Sequence, residues 1–476
     1  MSNGNVIAEP FASTVGTRQG CNLSPALCNI YINDLANEIE DNGCDPVSLN
    51  GLKVNLLMYA DDILLLSSSA KGLQMALDQV SKFCNEWKLT INFSKTKVMV
   101  FNKPRASLNK NDFTVNGKQV DMCTEYVYLG IVITSTGNFR MAISRLIMKA
   151  QKSYAGWRCS ISGNYRDTTN AKVMCRLFDT LTKPILLYGC EVWAPFDKRL
   201  QSPGSLDNLL TGTPRQWESL HTKFCKQALG VHKRACVIAS RAELGRYPLI
   251  INMAKTILDY WKRSTNPDAD DRPLLRNAMM AQRHLNTIDH SPYIKTIKAI
   301  SLYATGDDNV TDLNVEKIID ALRDKYYKRA TECLKMNKKM DVYRDIKKIH
   351  RLEPYLMSNL KTEWKISIAK LRISAHNFPV EACRKLNIAK QDRKCMMCKN
   401  GDIGDEFHYM FKCTHEGILN VRSELDAKMI QMNTNYATLG NQCKFKYLLS
   451  MADKDTWHYI GISIHKMMKL VSTRSS

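Results

Sequence analysis

The chain has 476 residues, with 68 Lys+Arg against 46 Asp+Glu and a formal net charge of +22. That length holds several domains, and 44% hydrophobic with 24% charged residues excludes a collagenous, low-complexity or largely disordered chain. No apolar run reaches the ~18 to 20 residues of a membrane span, and Met1 to Thr14 lacks the pattern of a secretory leader. The expectation is an intracellular protein without a membrane partner, nucleus and cytoplasm both being open. Its cationic surplus makes nucleic acid the first partner to consider. Sixteen cysteines without a secretory signal read as buried thiols or metal ligands, and only Cys395 and Cys398 are separated by just two residues.

In chain order, Ser24 and Pro25 read as an N-cap and first helical residue, opening a helix through Ala26, Leu27, Ile30, Tyr31 and Leu35. The apolar run Val54 to Leu66, broken by Asn55, Asp61 and Asp62, reads as two strands joined by a tight turn that carries the acids. Leu73, Leu77, Val80, Cys84 and Trp87 recur at helical spacing over about five turns. Lys97 to Phe101 reads as a strand, and Asn116-Gly117 centres a two-residue hairpin. Another strand is expected from Tyr126 to Ile133, then a basic amphipathic helix over 138 to 158 with Ile143, Leu146, Ile147 and Ala150 on its apolar face. The rest reads as successive helices punctuated by prolines, with Gln201 to Pro214 the most linker-like stretch. The fold class expected is α+β, mostly helical after residue 137.

Adjacent carboxylates such as Asp61 and Asp62 repel each other unless a cation neutralises them. Oxygen ligands at the tip of a rigid, buried hairpin suit Mg²⁺, which keeps several waters and also binds phosphates. A solvated acidic turn is the plainer alternative for the dipeptide alone. The setting narrows the choice: Gly16-Thr17-Arg18-Gln19-Gly20-Cys21-Asn22-Leu23-Ser24-Pro25 lies upstream, then come Tyr59-Ala60-Asp61-Asp62, Asn92-Phe93-Ser94-Lys95-Thr96-Lys97 and Tyr128-Leu129-Gly130. In type, order and separation these resemble four successive motifs of reverse transcriptases, nearest to the polymerase of non-LTR (LINE-like) retrotransposons. The resemblance continues in Leu187-Tyr188-Gly189, Trp193, Leu229-Gly230, Glu243-Leu244-Gly245-Arg246-Tyr247-Pro248 and the cysteine cluster near residue 400.

The resemblance implies a catalytic set of Asp61, Asp62 and Lys95. Asp61 would ligate Mg²⁺ with Asp62 beside it, and Lys95 would sit near the triphosphate of an incoming dNTP. Arg18, Gln19, Gly20 and Tyr59 would meet template and nucleotide, and Tyr128, Leu129 and Gly130 would form a strand gripping the primer end. RNA and DNA are the implied partners. One departure is plain: family members supply another metal-binding aspartate from a strand well before the Gln-Gly motif, whereas the 18 residues before Gln19 hold one acid, Glu9. The expectation is a polymerase palm whose first catalytic strand is missing, inactive alone, with a nonenzymatic nucleic-acid-binding remnant as the rival reading.

The spacing Cys395-x2-Cys398-x9-His408-x4-Cys413 offers three sulfurs and one nitrogen for a structural Zn²⁺, with His415 and Cys383 as possible substitutes. Similar C-terminal clusters occur in the resembled family. Between Arg323 and Arg351 eleven Lys/Arg and four Asp/Glu are interleaved with Tyr326, Tyr327 and Tyr343. This is either a solvated helix face or a surface for a phosphate backbone with rings for stacking on bases. The expected organisation is a palm over 1 to 135, a thumb-like region over 136 to 200, basic helices over 201 to 370, a zinc-knuckle-like module over 371 to 432, and C-terminal helices over 433 to 476.

Overall fold

The computed structural model describes residues 2–3, 6–7, 21–101, 113–162, 170–212, 216–266, 273–287, 291–450 and 455–473. These residues are mostly helical, and their strands form five two-stranded antiparallel hairpins, compatible with the α+β class. They divide into two compact units, one of residues 1–139 with 263–290 and the other of 140–262 with 291–476.

In the first unit the helix Ala70–Glu86 is the organising element. Ser69 is extended and its hydroxyl accepts from the Gly72 amide at 2.9 Å, satisfying one of the donors that the first turn leaves open. Its apolar stripe puts Ala76, Val80, Phe83 and Cys84 against Leu35, Ile39 and Cys44, and Leu77 against Val98, Phe113, Val115 and Val120. The Asn116-Gly117 turn closes Thr114–Val115 on Lys118–Gln119 as its sequence requires, with φ of +50° and +71°. A second Asn-Gly turn, at Asn50-Gly51, closes Val47–Leu49 on Leu52–Val54 by the same device, though the sequence reading passed over it. The helix Pro273–Thr287 belongs to this unit, where Asn50 Nδ2 donates to Asn277 Oδ1 at 3.3 Å.

Four expectations need correction here. The first helix runs Ser24–Ile32, so Leu23 holds the cap position and Pro25 the second turn residue, while Leu27, Ile30 and Tyr31 of its expected apolar face are exposed. Lys97 to Phe101 is not a strand; Val98 alone makes a parallel bridge, to Met122. Tyr126 to Ile133 is a hairpin, Glu125–Tyr128 paired with Ile131–Thr134, because Leu129 and Gly130 both take positive φ, +45° and +83°, and reverse the chain. The linker-like stretch contains the helix Pro203–Thr211, which buries Leu206, Leu209 and Leu210 at i, i+3, i+4 spacing.

In the second unit the helix Arg140–Ser162 buries Ala142, Leu146, Ile147, Ala150 and Tyr154. Thr362–Arg372, Glu416–Met432 and Thr456–Thr473 pack together through Ile368, Leu371, Ile418, Leu425, Ile460 and Ile464. All sixteen cysteines are free thiols. No helix among the described residues is long and apolar enough to cross a membrane.

Candidate functional site

The acidic hairpin pairs Leu56–Tyr59 with Asp62–Leu65, Tyr59 opposite Asp62. Its base is anchored: Leu56, Met58 and Leu65 pack on the core of the Ala70–Glu86 helix, and Asn55, buried, donates to the Cys44 carbonyl at 3.1 Å. Its tip is exposed, including Tyr59, Asp61, Asp62 and Ile63, so the site is rigid at its root and open at its end, not buried throughout. Ala60 holds φ of +54° at the first turn position, a conformation that a side chain makes costly. Neither carboxylate forms a salt bridge among the described residues.

Lys95 lies exposed on a turn that Asn92 closes, its Oδ1 accepting from the Ser94 hydroxyl at 2.7 Å and the Lys95 amide at 3.3 Å. Tyr126 Oη donates to the Lys95 carbonyl at 3.0 Å, joining this turn to the Glu125–Tyr128 strand. Burial, and secondarily the negative charge of Asp62, push the Tyr128 phenol above its ordinary value. Tyr126 thus ties the lysine turn to this strand, and Tyr128 of the same strand lies within electrostatic reach of Asp62. Leu129 and Gly130 occupy the hairpin turn, so the Tyr-Leu-Gly segment is a reversal and not a strand. Arg18, Gln19 and Gly20 lie outside the described residues.

The second constellation converges. The donor atoms of Cys395, Cys398, His408 and Cys413 all lie within 4.8 Å of one another. Cys395 Sγ is 3.9 Å from Cys413 Sγ, and Cys398 Sγ is 3.4 Å from His408 Nε2. A tetrahedron with metal–sulfur bonds of ~2.3 Å and metal–nitrogen bonds of ~2.0 Å has edges of about 3.8 Å between sulfurs and about 3.5 Å between sulfur and nitrogen. The observed edges match both. The first two thiols are set by a short antiparallel bridge, where the Cys395 amide donates to the Asp402 carbonyl at 2.8 Å and Gly401 turns the chain with φ of +72°. The other two ligands are five residues apart, which on an α-helix would point them about 140° from each other. The segment His408–Lys412 is instead a π-turn, closed by the Cys413 amide on the His408 carbonyl at 2.8 Å, and its wider pitch brings both to one side.

Hydrogen bonding to Cys413 is the chief reason the Cys395 thiol is held below its ordinary value, and the same bond raises Cys413. Burial opposes charge on His408, but the Cys395 and Cys398 sulfurs outweigh it and raise its imidazole. Asp402 Oδ2 stands 3.6 Å from His408 Nδ1, a carboxylate behind a candidate ligand. His415 is not part of the set: it caps the Glu416–Met432 helix, its Nδ1 accepting from the Gly417 amide at 3.2 Å. Cys383 also lies outside the converging group.

The distal motif blocks have structural roles that sequence alone did not reveal. Arg246 bonds both Asp179 oxygens, at 3.0 and 2.7 Å, and reaches His221 Nε2 at 2.9 Å. Glu243 receives Arg372 at 3.0 Å on each oxygen and Tyr355 Oη at 2.6 Å. Gly245 has φ of +62°, and a Cβ there would lie 2.5 Å from the Leu352 amide nitrogen, so the position excludes any other residue. Ser374 and His376 both bond Glu406, each at 2.8 Å, tying the Leu371 to His376 segment to the cysteine loop.

Residues 1–133 match the sequence family described as reverse transcriptase (RNA-dependent DNA polymerase). The RNA-directed DNA polymerase from transposon BS of Drosophila melanogaster is 27% identical over 195 residues, 40% of this chain and 21% of that protein. The RNA-directed DNA polymerase from mobile element jockey of Drosophila funebris is 26% identical over 184 residues, 37% of this chain and 19% of that protein. Over its first 133 residues the chain resembles a reverse transcriptase, and it is similar to the RNA-directed DNA polymerases of these mobile elements. A transposon-derived protein of Caenorhabditis elegans is 31% identical over 182 residues, 36% of this chain. The chain spans 63% of the length of that relative and about a fifth of the two polymerases.

Proposed function

We propose that this chain is the polymerase-bearing part of a retrotransposon protein that copies RNA into DNA. The observation that carries the reading is the strained acidic turn at Ala60-Asp61, exposed beside Tyr128 and the Lys95 turn. Exposed carboxylates without a basic side chain to neutralise them suit a hard divalent cation, and Asp61 with Asp62 would hold Mg²⁺. Bound there, Mg²⁺ would lower the charge between primer hydroxyl and triphosphate. The chain's own residues do the positioning: Tyr59 faces template and nucleotide, Lys95 offers an ammonium to the phosphates, and the turn at Leu129-Gly130 supports the primer end. Arg18, Gln19 and Gly20 belong to the same proposed template and nucleotide surface.

The domain division proposed is a palm over 1 to 135, a thumb-like region over 136 to 200, basic helices over 201 to 370, a zinc module over 371 to 432 and C-terminal helices beyond. The edge lengths of the Cys395, Cys398, His408, Cys413 set support Zn²⁺ as its structural ion. Two-metal transfer also needs a carboxylate from a second palm strand, and the 18 residues before Gln19 offer only Glu9. The test is primer extension on poly(rA)/oligo(dT) with Mg²⁺. The 476 residues alone should bind the template-primer without extending it, and fusion to an upstream palm segment from a related polymerase should give synthesis that Asp61→Ala abolishes. Synthesis that survives Asp61→Ala in the fusion would remove this turn from the reaction.

A further inference from the structure

The basic stretch 323 to 351 is not a flat charged face. The helix Val315–Met336, the helix Asp341–Ile346 and the segment after it enclose, with Ile238 and Ala242, a cavity of about 620 Å³, within the range that holds small ligands. Its walls are aromatic. Tyr326 and Tyr343 are buried, Tyr327 stands at the mouth 43% exposed, and the His350 ring lies edge-on to Tyr326 with centroids 5.8 Å apart. His350 is backed on Tyr247 at 4.4 Å. His350 Nε2 is buried without a hydrogen-bond partner among the described residues.

The rim is cationic. Lys335, Arg344, Lys347 and Lys348 line it against one carboxylate, Asp345, and that one is taken by Lys446 at 2.8 Å. Lys347 is occupied with Glu353, Arg344 with Asp341 at 2.8 Å, and Lys348 Nζ donates to the Arg344 carbonyl at 3.1 Å; Lys335 and Lys348 are the exposed lysines of the rim. Tyr327 Oη donates to the Lys348 carbonyl at 2.9 Å, so ring and cation are fixed together at the entrance.

We infer that this cavity captures one unpaired base of a single-stranded nucleic acid, with the flanking phosphates on Lys335 and Lys348. The exposed ring of Tyr327 at the mouth supplies stacking, which any base accepts through its π-face. A duplex cannot enter, because its bases are paired and stacked inside. The inference rests on the nucleic-acid partner of the preceding reading but not on its catalytic turn.

The experiment uses the full chain and compares binding of U15, dT15 and a 15-base-pair RNA duplex by fluorescence anisotropy over a salt series. Thr331→Trp places an indole in the cavity without changing charge. It should weaken U15 and dT15 by at least about fivefold, the low end of what stacking one base contributes, and leave the duplex unchanged. Tyr327→Leu keeps bulk but removes the ring, and should weaken the single strands alone even if Thr331→Trp fails to fold. Lys335→Ala with Lys348→Ala should flatten the log–log salt slope by about 2. A 4-thiouridine in U15 should crosslink to a peptide within 323–351. Wild-type affinity for U15 in both cavity variants would overturn the cavity while leaving the polymerase reading intact, as would a crosslink confined elsewhere. Failure of the unmodified chain to bind any of the three probes at low salt would overturn both.

Discussion

Replacing Arg372 with methionine should be among the most damaging single changes in the second unit. The guanidinium is fully buried and donates to Glu243 twice at 3.0 Å, to Glu353 at 2.8 Å and to the Leu449 carbonyl. Methionine fills the volume but leaves two buried carboxylates with Tyr355 Oη and Lys347 as their remaining partners. Breaking a buried pair from one side costs about 3 to 5 kcal/mol, which at roughly 2 °C per kcal/mol for a unit of this size lowers Tm by about 6 to 10 °C. The loss depends on pH with a definite sign. Burial alone would raise the Glu243 carboxyl, but Arg372 and then Lys347 hold it below its ordinary range. The stability this contributes is therefore present above the unfolded value of about 4.3 and is lost as pH falls through the lower folded value. Wild type and Arg372→Met should differ most near pH 7 and converge below about pH 4. Thermal melts across that range measure it, with the triple variant Arg372→Met, Glu243→Gln, Glu353→Gln as control, since removing both carboxylates with the guanidinium should recover part of the loss, Lys347 alone then lacking its partner. A drop under about 2 °C at pH 7, or a triple variant no better than the single, would refute the reasoning.

The Cys395, Cys398, His408, Cys413 set should bring one zinc per chain through purification, read by elemental analysis; Cys395→Ser should lose it, while Cys383→Ser and His415→Ala keep it. Because thiols and imidazole bind metal only when deprotonated, zinc retention against a chelator should weaken as pH falls below about 6. Gly245→Ala should cost more than the ~1 kcal/mol of an ordinary helix glycine exchange, since both φ and the Leu352 amide oppose it; a Tm within 2 °C of wild type would contradict the contact. Ala60→Gly should relieve the strained turn and raise stability slightly, by up to about 1 kcal/mol in chemical denaturation, and a measurable loss would mean the strain is not there.

Local rules carried much of this protein. Spacing along Leu73 to Trp87 announced a helix because one stripe had to be buried, and Asn116-Gly117 announced a hairpin because those residues tolerate positive φ. The Asp61-Asp62 turn was legible from apolar flanks around two acids, and the four metal donors from thiols that no disulfide framework required. Other features depended on partners distant in sequence. Ala60 and Leu129 carry no turn signature; their positive φ is imposed by strands that pair on either side. The π-turn at His408 cannot be read from its composition, because only the convergence of Cys413 on the Cys395 loop makes its pitch worthwhile. Glu243 and Arg246 looked alike as motif residues, yet folding alone decided that Arg246 meets a part-exposed Asp179 while Glu243 meets Arg372, itself bound to Glu353, in the dry interior, where a charge must find its partner.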